Sequence, residues 1–251
     1  AGPPVAEDDW DNAYYSMGFY GPGNPTVRES VWNGYTAVRT GAAALFEGNT
    51  VSIDIVSIDG PGASTVRGNT FVDGGSVNST GATVTVEGND FTGGNFSADS
   101  QSVVEVRDNV FHDYDSGDYL DATIVIRESG SHATIENNTV TDASSGILLR
   151  GGATGSIRGN TLEASRIAIQ LGPGDGTAVE GNTITGEGAG ILVGQGSGAD
   201  ITGNHIDVAA RGIAISSGSS PTVAGNDVCG GKDSIWVGTN ASPEVGENQV
   251  C

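Results

Sequence analysis

The chain has 251 residues, and its 31 acidic residues outnumber its ten basic residues so far that the formal net charge at pH 7 is −21. Nucleic acids and anionic membranes are poor partners for such a chain, because no cluster of Lys and Arg offers a basic face. No apolar stretch is long enough to span a bilayer, which excludes membrane insertion as well.

The first forty residues differ in composition from the rest of the chain. They contain an acidic run and hold seven of the fifteen aromatic residues, namely Trp10, Tyr14, Tyr15, Phe19, Tyr20, Trp32 and Tyr35. The remainder of the chain is repetitive, and a stacked-repeat fold needs a cap on its open end. We therefore predict an aromatic-rich N-terminal cap over residues 1–41. The alternative is a contact surface for a glycan or a partner protein, because clustered Tyr and Trp make good anchors.

Asparagine recurs at a fixed interval through the rest of the chain. The spacing is 20 residues, then 29 once, and then 22, at Asn49, Asn69, Asn89, Asn109, Asn138, Asn160, Asn182, Asn204, Asn226 and Asn248. The residues three before and two after each asparagine are all apolar. Apolar side chains at alternate positions indicate strands, and a fixed period of this length indicates a solenoid.

A unit of 20 to 22 residues is too small to bury its own apolar face, so successive units must stack with like residues on like residues. The strands are then parallel, and crossovers between parallel strands are overwhelmingly right-handed. We predict an all-β fold in which residues 42–251 form a single-stranded right-handed parallel β-helix of about ten coils. Asparagine suits its turns because it tolerates the left-handed backbone conformation.

A charge pattern supports this stacking. The residue two before each asparagine alternates in sign over seven consecutive coils, at Glu47, Arg67, Glu87, Arg107, Glu136, Arg158 and Glu180. Parallel neighbours about 4.8 Å apart would place each carboxylate between two guanidinium groups. We interpret these residues as a structural ladder of surface ion pairs, each contributing about 0 to 1 kcal/mol.

The single long interval, between Asn109 and Asn138, is the place where a local function is expected, because insertions in a solenoid form loops. It contains the sequence HDYDSGDYLD, in which Asp113, Asp115, Asp118 and Asp121 could converge on Ca²⁺. The alternative is a solvated acidic loop. Two arginines, Arg127 and Arg150, each end a strand beside this loop and should stack on neighbouring coils.

The two cysteines, Cys229 and Cys251, are 22 residues apart and occupy the same position in consecutive repeats. Stacked coils bring them within the separation that a disulfide accepts, so we predict a bridge that clasps the final coil. Two reduced thiols are the main alternative, and a metal site is a further one. A disulfide implies an oxidising, extracytoplasmic setting. Four sequons, at Asn78, Asn95, Asn137 and Asn240, permit N-glycosylation of an exported protein.

The asparagine-centred coils, such as VRGNTF at 66–71, VEGNTI at 179–184 and ITGNHI at 201–206, resemble the right-handed parallel β-helix superfamily, and in particular its pectate-lyase-like group with carbohydrate-binding and sugar-hydrolase repeats. The resemblance implies saccharide ligands. Acidic ligands beside an arginine resemble the pectate-lyase pattern, in which Ca²⁺ bridges enzyme and uronate while a basic side chain removes a proton. The chain departs from that pattern because its carboxylates come mostly from one loop and no lysine is nearby.

The composition also resembles that of haloarchaeal proteins, since Lys232 is the single lysine of an acidic chain. We therefore predict a secreted or surface-displayed β-helix from a high-salt organism with a structural, adhesive or glycan-binding role. Its partner would be a polysaccharide, a surface glycan or another surface protein. Two alternatives stay open: a calcium-assisted lyase or epimerase acting on acidic polysaccharide, in which Arg127 or Arg150 is catalytic, and a homotrimeric spike or fibre segment on a halophilic virion.

Overall fold

The computed structural model describes residues 17–39, 41–53, 55–115, 117–118 and 120–251. Of the predicted N-terminal cap, Trp10, Tyr14 and Tyr15 lie outside these residues. The described residues contain no α-helix, and so none that is long and apolar enough to cross a membrane.

The described chain is built from short strands. In chain order they are β1 (Met17–Tyr20), β2 (Thr26–Arg28), β3 (Val31–Asn33), β4 (Thr36–Arg39), β5 (Leu45–Glu47), β6 (Thr50–Ser52), β7 (Ile55–Asp59), β8 (Ala63–Arg67), β9 (Thr70–Val72), β10 (Ser76–Thr80), β11 (Thr83–Glu87), β12 (Asp90–Thr92), β13 (Phe96–Asp99), β14 (Val103–Arg107), β15 (Val110–His112), β16 (Ile124–Arg127), β17 (His132–Glu136), β18 (Thr139–Arg150), β19 (Thr154–Arg158), β20 (Thr161–Leu171), β21 (Gly174–Glu180), β22 (Thr183–Gly186), β23 (Ala189–Val193), β24 (Ser197–Thr202), β25 (His205–Val208), β26 (Arg211–Ile215), β27 (Thr222–Ala224), β28 (Asp227–Gly230), β29 (Asp233–Val237), β30 (Glu244–Val245) and β31 (Gln249–Val250).

The strands form a parallel β-solenoid with three faces. The back face is an 11-stranded sheet that begins with β2 and β5 and ends with β30. The flank face begins with β3 and β6 and ends with β31, whereas the front face begins with β1 and β4 and ends with β29. The strands β18 and β20 run without interruption from the flank face into the front face, which joins these two faces into one 20-stranded sheet. The predicted all-β, parallel β-helix of about ten coils is confirmed.

Stacked apolar side chains fill the interior as one continuous core. The residues that flank the aligned asparagines, including Phe71, Phe91, Phe111 and Ile135, are buried in every coil but the last, where Val245 and Val250 are about half exposed. On the flank face the rings of Phe71, Phe91 and Phe111 stack with centroids 4.3 and 4.5 Å apart, close to the spacing of about 4.8 Å between neighbouring strands. The predicted alternation of apolar residues is therefore the inward-facing set of each strand.

The asparagines form a buried hydrogen-bonded ladder at the corner between the back and flank faces. Each side-chain Nδ2 donates to Oδ1 of the asparagine in the next coil, at 2.9 to 3.0 Å. The backbone N–H of the same residue donates to that Oδ1 as well, at 2.9 to 3.1 Å. The second Nδ2 proton is used by a backbone carbonyl, as between Asn138 and Val106 O at 2.8 Å. These asparagines were expected in turns, and the structure shows that their side chains also join the coils.

The ladder of charges is only partly paired. Glu47 lies between two arginines, with Arg28 at 2.7 Å and Arg67 at 2.6 Å. Farther along, Arg107 pairs with Glu87, and Arg158 lies 3.5 Å from Glu180. Two ion pairs per carboxylate were predicted. Among the described ion pairs of this row, Glu47 is the one carboxylate that forms both. The side chains are half-exposed, so solvation competes with the second ion pair.

The solenoid begins earlier than residue 42. The strands β1 to β4 pair in parallel with those of the following coils, and the ladder of charges already includes Arg28, which is paired with Glu47. Within this first coil Trp32 is buried, and its ring centroid lies 6.3 Å from that of Phe46. Residues 17–39 are therefore part of the β-helix, and a separate cap stays a prediction for the residues before Met17.

The two cysteines are joined at the other end of the solenoid. A disulfide connects Cys229 to Cys251, with their Cα atoms 5.0 Å apart. Cys229 is the third residue of β28, and Cys251 directly follows β31. The bridge therefore links the last two coils on the flank face. The predicted clasp is confirmed.

Replacement of one ladder asparagine tests how far the fold depends on these hydrogen bonds. In Asn138→Ala, the backbone N–H and Nδ2–H of Asn109 lose their acceptor inside the protein. Because a buried unsatisfied group costs about 1–3 kcal/mol, we expect the free energy of unfolding to fall by about 3 kcal/mol. Urea denaturation measures the change.

The adjacent Asn137→Gly is the matched control. Asn137 is exposed and has a φ of 56°, a conformation that glycine adopts freely, so its replacement should change the urea midpoint little. Equal stability of Asn138→Ala and Asn137→Gly would contradict the central role of the ladder.

Candidate functional site

The long interval leaves the coil at one corner, between the flank face and the front face. Most coils cross this corner in two or three residues or continue through it as one strand, but β15 ends at His112 and β16 begins at Ile124. The intervening excursion starts at Asp113, whose φ is 61°, and returns at Ala122 and Thr123. It is the single long connection within the part of the chain that the structure describes, as the sequence predicted.

The excursion packs on the outer surface of the front face. Ala122, Val125 and Leu148 form a small apolar cluster that is separate from the main core, and all three are at most 2% exposed. Val125 lies between Ile124 and Ile126, which face the main core, so Val125 points outward and is covered by the excursion. The hydroxyl of Thr123 donates to Ser145 O at 2.9 Å, which fixes the returning end.

A polar network fixes the middle of the excursion. The half-buried Tyr114 donates its hydroxyl to Asp121 Oδ2 at 2.8 Å and accepts a hydrogen bond from Asn95 Nδ2 at 3.2 Å. Asp121 Oδ1 lies 3.6 Å from a guanidinium nitrogen of Arg127. Burial raises the pKa of Tyr114 well above its ordinary value, and the hydrogen bond to Asp121 raises it further. Tyr114 therefore stays protonated at neutral pH and acts as a hydrogen-bond donor.

The two arginines stack on neighbouring coils, as predicted. Arg127 and Arg150 are paired in register at the ends of adjacent front-face strands. Asp121 is within reach of Arg127, and Nε of Arg127 is buried without a hydrogen bond. The guanidinium group of the half-buried Arg150 has no ion pair or hydrogen-bond partner within the described ranges. Two guanidinium groups thus stand at the same position of consecutive front-face strands, on a chain whose net charge is −21.

The four aspartates proposed as calcium ligands have different partners. Asp113 Oδ2 lies 3.2 Å from His112 Nδ1, while Asp115 and Asp118 accept hydrogen bonds from the backbone N–H groups of Gly117 and Leu120. Asp121 binds Tyr114, as described above. Among the residues that the structure describes, no three His, Cys, Asp or Glu side chains converge on a point suitable for a metal ion. Calcium binding stays a prediction.

Each of the three histidines contacts a neighbouring coil. His112 Nε2 lies 2.9 Å from Asp90 Oδ1, His132 Nδ1 lies 3.2 Å from Thr154 Oγ1, and His205 Nδ1 lies 2.9 Å from Asp227 Oδ2. Burial lowers the pKa of His112, but its hydrogen bonds to Asp113 and Asp90 outweigh burial and raise the pKa overall. The three histidines lie on three different strands, β15, β17 and β25.

The sequons fall into two structural groups. Asn78 and Asn95 lie at the front face, where their side chains make hydrogen bonds with Ser97 and Tyr114. Asn137 and Asn240 lie at exposed turns and have φ values of 56° and 60°. Glycosylation of any of them stays a prediction.

The sequence analysis did not predict the hydrogen bonds of Tyr114, nor that the excursion would bury part of the front face. A signal for the second feature is present in the sequence. Three consecutive apolar residues occur at 124–126 and again at 147–149, although only alternate residues of a strand can face the core. The middle residues, Val125 and Leu148, are those that the excursion buries.

Three comparisons with known proteins bear on this arrangement. A family model described as the right-handed β-helix region matches residues 98–250. No curated protein matches the sequence. The fold is similar to a double mutant of the periplasmic alginate epimerase AlgG, with a TM-score of 0.79 and 12% identity over 94% of this chain and 70% of that one. The unmutated AlgG gives a TM-score of 0.65 at 10% identity, over 91% and 77% of the two chains.

The fold is also similar to a mutant tailspike protein of E. coli bacteriophage HK620, solved in complex with a pentasaccharide. The TM-score is 0.60 at 13% identity, over 94% of this chain and 57% of the tailspike. At such identities the similarity shows a common fold.

The raised pKa of Tyr114 predicts how the excursion responds to alkali. Because the folded state favours the protonated phenol, its stabilising contribution is complete below the unfolded pKa of about 10 and is lost as the pH rises through the folded pKa. We expect the urea midpoint of the wild-type protein to fall more steeply above about pH 10 than that of Tyr114→Phe. The exposed Tyr20→Phe is the control and should behave as the wild type. Identical alkaline profiles for wild type and Tyr114→Phe would contradict the buried Tyr114–Asp121 hydrogen bond.

Proposed function

This chain belongs to the right-handed β-helix family, and we propose that it is a secreted or surface-displayed glycan-binding protein of a high-salt organism. The glycan would lie on the outer surface of the front face, beside the excursion and the two stacked arginines. The observation that carries this proposal is the register pairing of Arg127 with Arg150, where Arg150 has no described carboxylate partner. Guanidinium groups bind carboxylates with two parallel hydrogen bonds, so the preferred ligand is an acidic saccharide.

The surroundings of the arginines suit a saccharide ligand. Tyr114 and Asn95 place a phenol and an amide near the same edge, and Asp121 limits the freedom of Arg127. A small number of fixed polar groups that orient the ligand is usual in small-molecule sites. Structural neighbours that include an alginate epimerase and a tailspike in complex with a pentasaccharide support a saccharide as the partner.

Three observations support the proposed location. The disulfide between Cys229 and Cys251 is typical of oxidising compartments. One structural neighbour is described as periplasmic, and another is a phage tailspike. The net charge of −21 would be tolerated best in concentrated salt, because screening relieves the self-repulsion of a compact acidic chain.

A second candidate function is a calcium-assisted lyase or epimerase acting on acidic polysaccharide. It is favoured by the proximity of one loop carboxylate to Arg127, since Asp121 lies 3.6 Å from this arginine. Asp115 and Asp118 would have to turn away from the backbone N–H groups that they bind in order to join a cation. Arg127 or Arg150 would then act on the sugar as a catalytic residue. A homotrimeric virion spike is a third candidate, which the similarity to a tailspike supports.

Substitution of the arginines tests glycan binding. We expect Arg150→Gln to weaken the binding of an oligouronate by about tenfold or more, because a hydrogen bond to a charged group contributes about 1.5–3 kcal/mol. Arg150→Lys keeps the charge but loses the bidentate geometry, so its affinity should be intermediate. Isothermal titration calorimetry with an oligouronate and a neutral oligosaccharide of equal length measures the difference.

Arg158→Gln is the matched control for these variants. Arg158 lies on the back face, is half-exposed, and pairs with Glu180, so its loss should leave oligouronate affinity unchanged. Equal binding of the neutral and acidic probes, or equal effects of Arg150→Gln and Arg158→Gln, would contradict the proposed site.

The calcium hypothesis has a separate test. Calcium that binds the folded state alone raises the melting temperature, by the equivalent of about 2.7 kcal/mol at a hundred times its dissociation constant. The double variant Asp115→Asn with Asp118→Asn should abolish that rise, whereas Asp200→Asn on the exposed back face should retain it. An undiminished calcium response in the double variant would exclude the excursion as the cation site.

A further inference from the structure

Two of the four sequons are locked into the front face. The hydroxyl of Ser97 donates to Asn78 Oδ1 at 2.7 Å, and Ser97 is also the hydroxyl residue of the sequon that begins at Asn95. The amide nitrogen of Asn95 is itself engaged with Tyr114. A glycan on Asn95 Nδ2 would crowd the Tyr114 hydroxyl that this nitrogen contacts, and Asn78 is partly buried with its Oδ1 bound by Ser97.

At the sequon of Asn137 the acceptor residue itself is exposed, although the central residue, Asn138, is buried in the ladder. Asn137 occupies the turn position that glycine occupies in most other coils, for example Gly48, Gly68 and Gly181, with φ values of 65°, 59° and 62°. A Cβ at any of these three glycines would have no atom within 4 Å, whereas a Cβ at Gly159 of the next coil would lie 2.8 Å from Asn137 Oδ1. The Asn137 side chain therefore lies on the exposed surface beside Gly159. The exposed side chain of Asn137 has no hydrogen-bond partner among the described residues. The backbone of the turn is fixed, because Asn137 N–H donates to Arg158 O at 3.1 Å.

The sequon at Asn240 is also free at its side chain. Asn240 lies in the exposed turn between β29 and β30 with a φ of 60°, and its hydroxyl residue, Ser242, is exposed as well. The backbone carbonyl of Asn240 accepts a hydrogen bond from Gly218 N–H at 3.1 Å, while the side-chain amide makes none within the described structure. The backbone of the turn is thus fixed, and the amide nitrogen faces solvent.

We infer that Asn137 and Asn240 are N-glycan acceptors and that Asn78 and Asn95 are not. The inference rests on the extracellular location proposed above, because N-glycosylation requires export. In the reaction, the side-chain amide nitrogen attacks the anomeric carbon of a lipid-linked oligosaccharide diphosphate. A carbon–nitrogen bond forms, the bond from the anomeric carbon to the diphosphate oxygen breaks, and the nitrogen loses one proton. The lipid diphosphate is the leaving group, and no atom changes its oxidation state.

The test is site-specific glycopeptide mass spectrometry of the full chain after passage through a eukaryotic secretory pathway. We expect glycan on Asn137 and Asn240 and none on Asn78 or Asn95. Asn137→Gln and Asn240→Gln should each remove one glycan from the intact mass, and the double variant should carry none. Asn78→Gln and Asn95→Gln should leave the glycan mass unchanged. Secreted protein that lacks glycan at Asn137 or Asn240, or that carries it at Asn78 or Asn95, would overturn the assignment.

The chain offers a matched positive control. Gly181→Asn creates a new sequon with Thr183 at the turn equivalent to that of Asn137. This variant should gain one glycan, because the same backbone geometry presents the new side chain to solvent. A glycan gained through Gly181→Asn in protein whose Asn137 is empty would also overturn the assignment.

Failure of this inference can be told apart from failure of the proposed function. Oligouronate affinity depends on Arg127 and Arg150 at the front face, and it should be the same for wild-type protein and the unglycosylated double variant. Empty sequons with binding that depends on Arg150 would overturn the glycosylation sites alone. Occupied sequons without oligouronate binding would overturn the proposed ligand alone.

Discussion

The buried asparagine ladder is the constraint on which the remaining structure depends. Each Oδ1 accepts two hydrogen bonds from the preceding asparagine, and each Nδ2 donates to the following asparagine and to a backbone carbonyl. The amide is thereby saturated inside an apolar core, where an unsatisfied group would be costly. A hydrogen bond of fixed length between successive coils also fixes their spacing and register at this corner. The inward positions on both sides of the asparagine are then defined, and apolar residues fill them.

The ladder also determines where the chain can depart from the repeat. The interval from Asn109 to Asn138 is 29 residues long, yet its Nδ2–Oδ1 distance is 2.9 Å, the same as in the regular intervals. The additional residues therefore cannot enter at the asparagine corner and emerge instead between the flank and front faces. There they cover Val125 and Leu148 and bring Tyr114 and Asp121 to the end of the strand that carries Arg127. The asparagine ladder thus keeps one corner of the solenoid regular, while the additional residues form the excursion at another corner.

The fold could be predicted from the sequence because its determinants recur at a fixed period. If one coil were aligned wrongly, its apolar residues, asparagine or cysteine would no longer match the equivalent residues of the other coils. The partners within the excursion have no such periodic support. Nothing in the spacing of Asp115 and Asp118 indicates that they bind the N–H groups of Gly117 and Leu120, because those bonds depend on local turns. The ion pairs of the ladder illustrate the same limit: register brings Glu136 beside two arginines, but solvent and rotamer freedom decide whether a surface pair forms.

The net charge of the chain affects how an anion could reach the two adjacent arginines. A distant anion is repelled by the net charge of −21 in dilute buffer, so long-range attraction cannot guide an acidic glycan to Arg127 and Arg150. In molar salt the screening length falls to about 3 Å, and both the repulsion from distant carboxylates and any long-range attraction disappear. Contacts at hydrogen-bond distance persist because their strength comes from direct pairing at short range. An acidic surface with two arginines half-buried at one edge is therefore compatible with an anionic ligand, and the compatibility improves as the salt concentration rises.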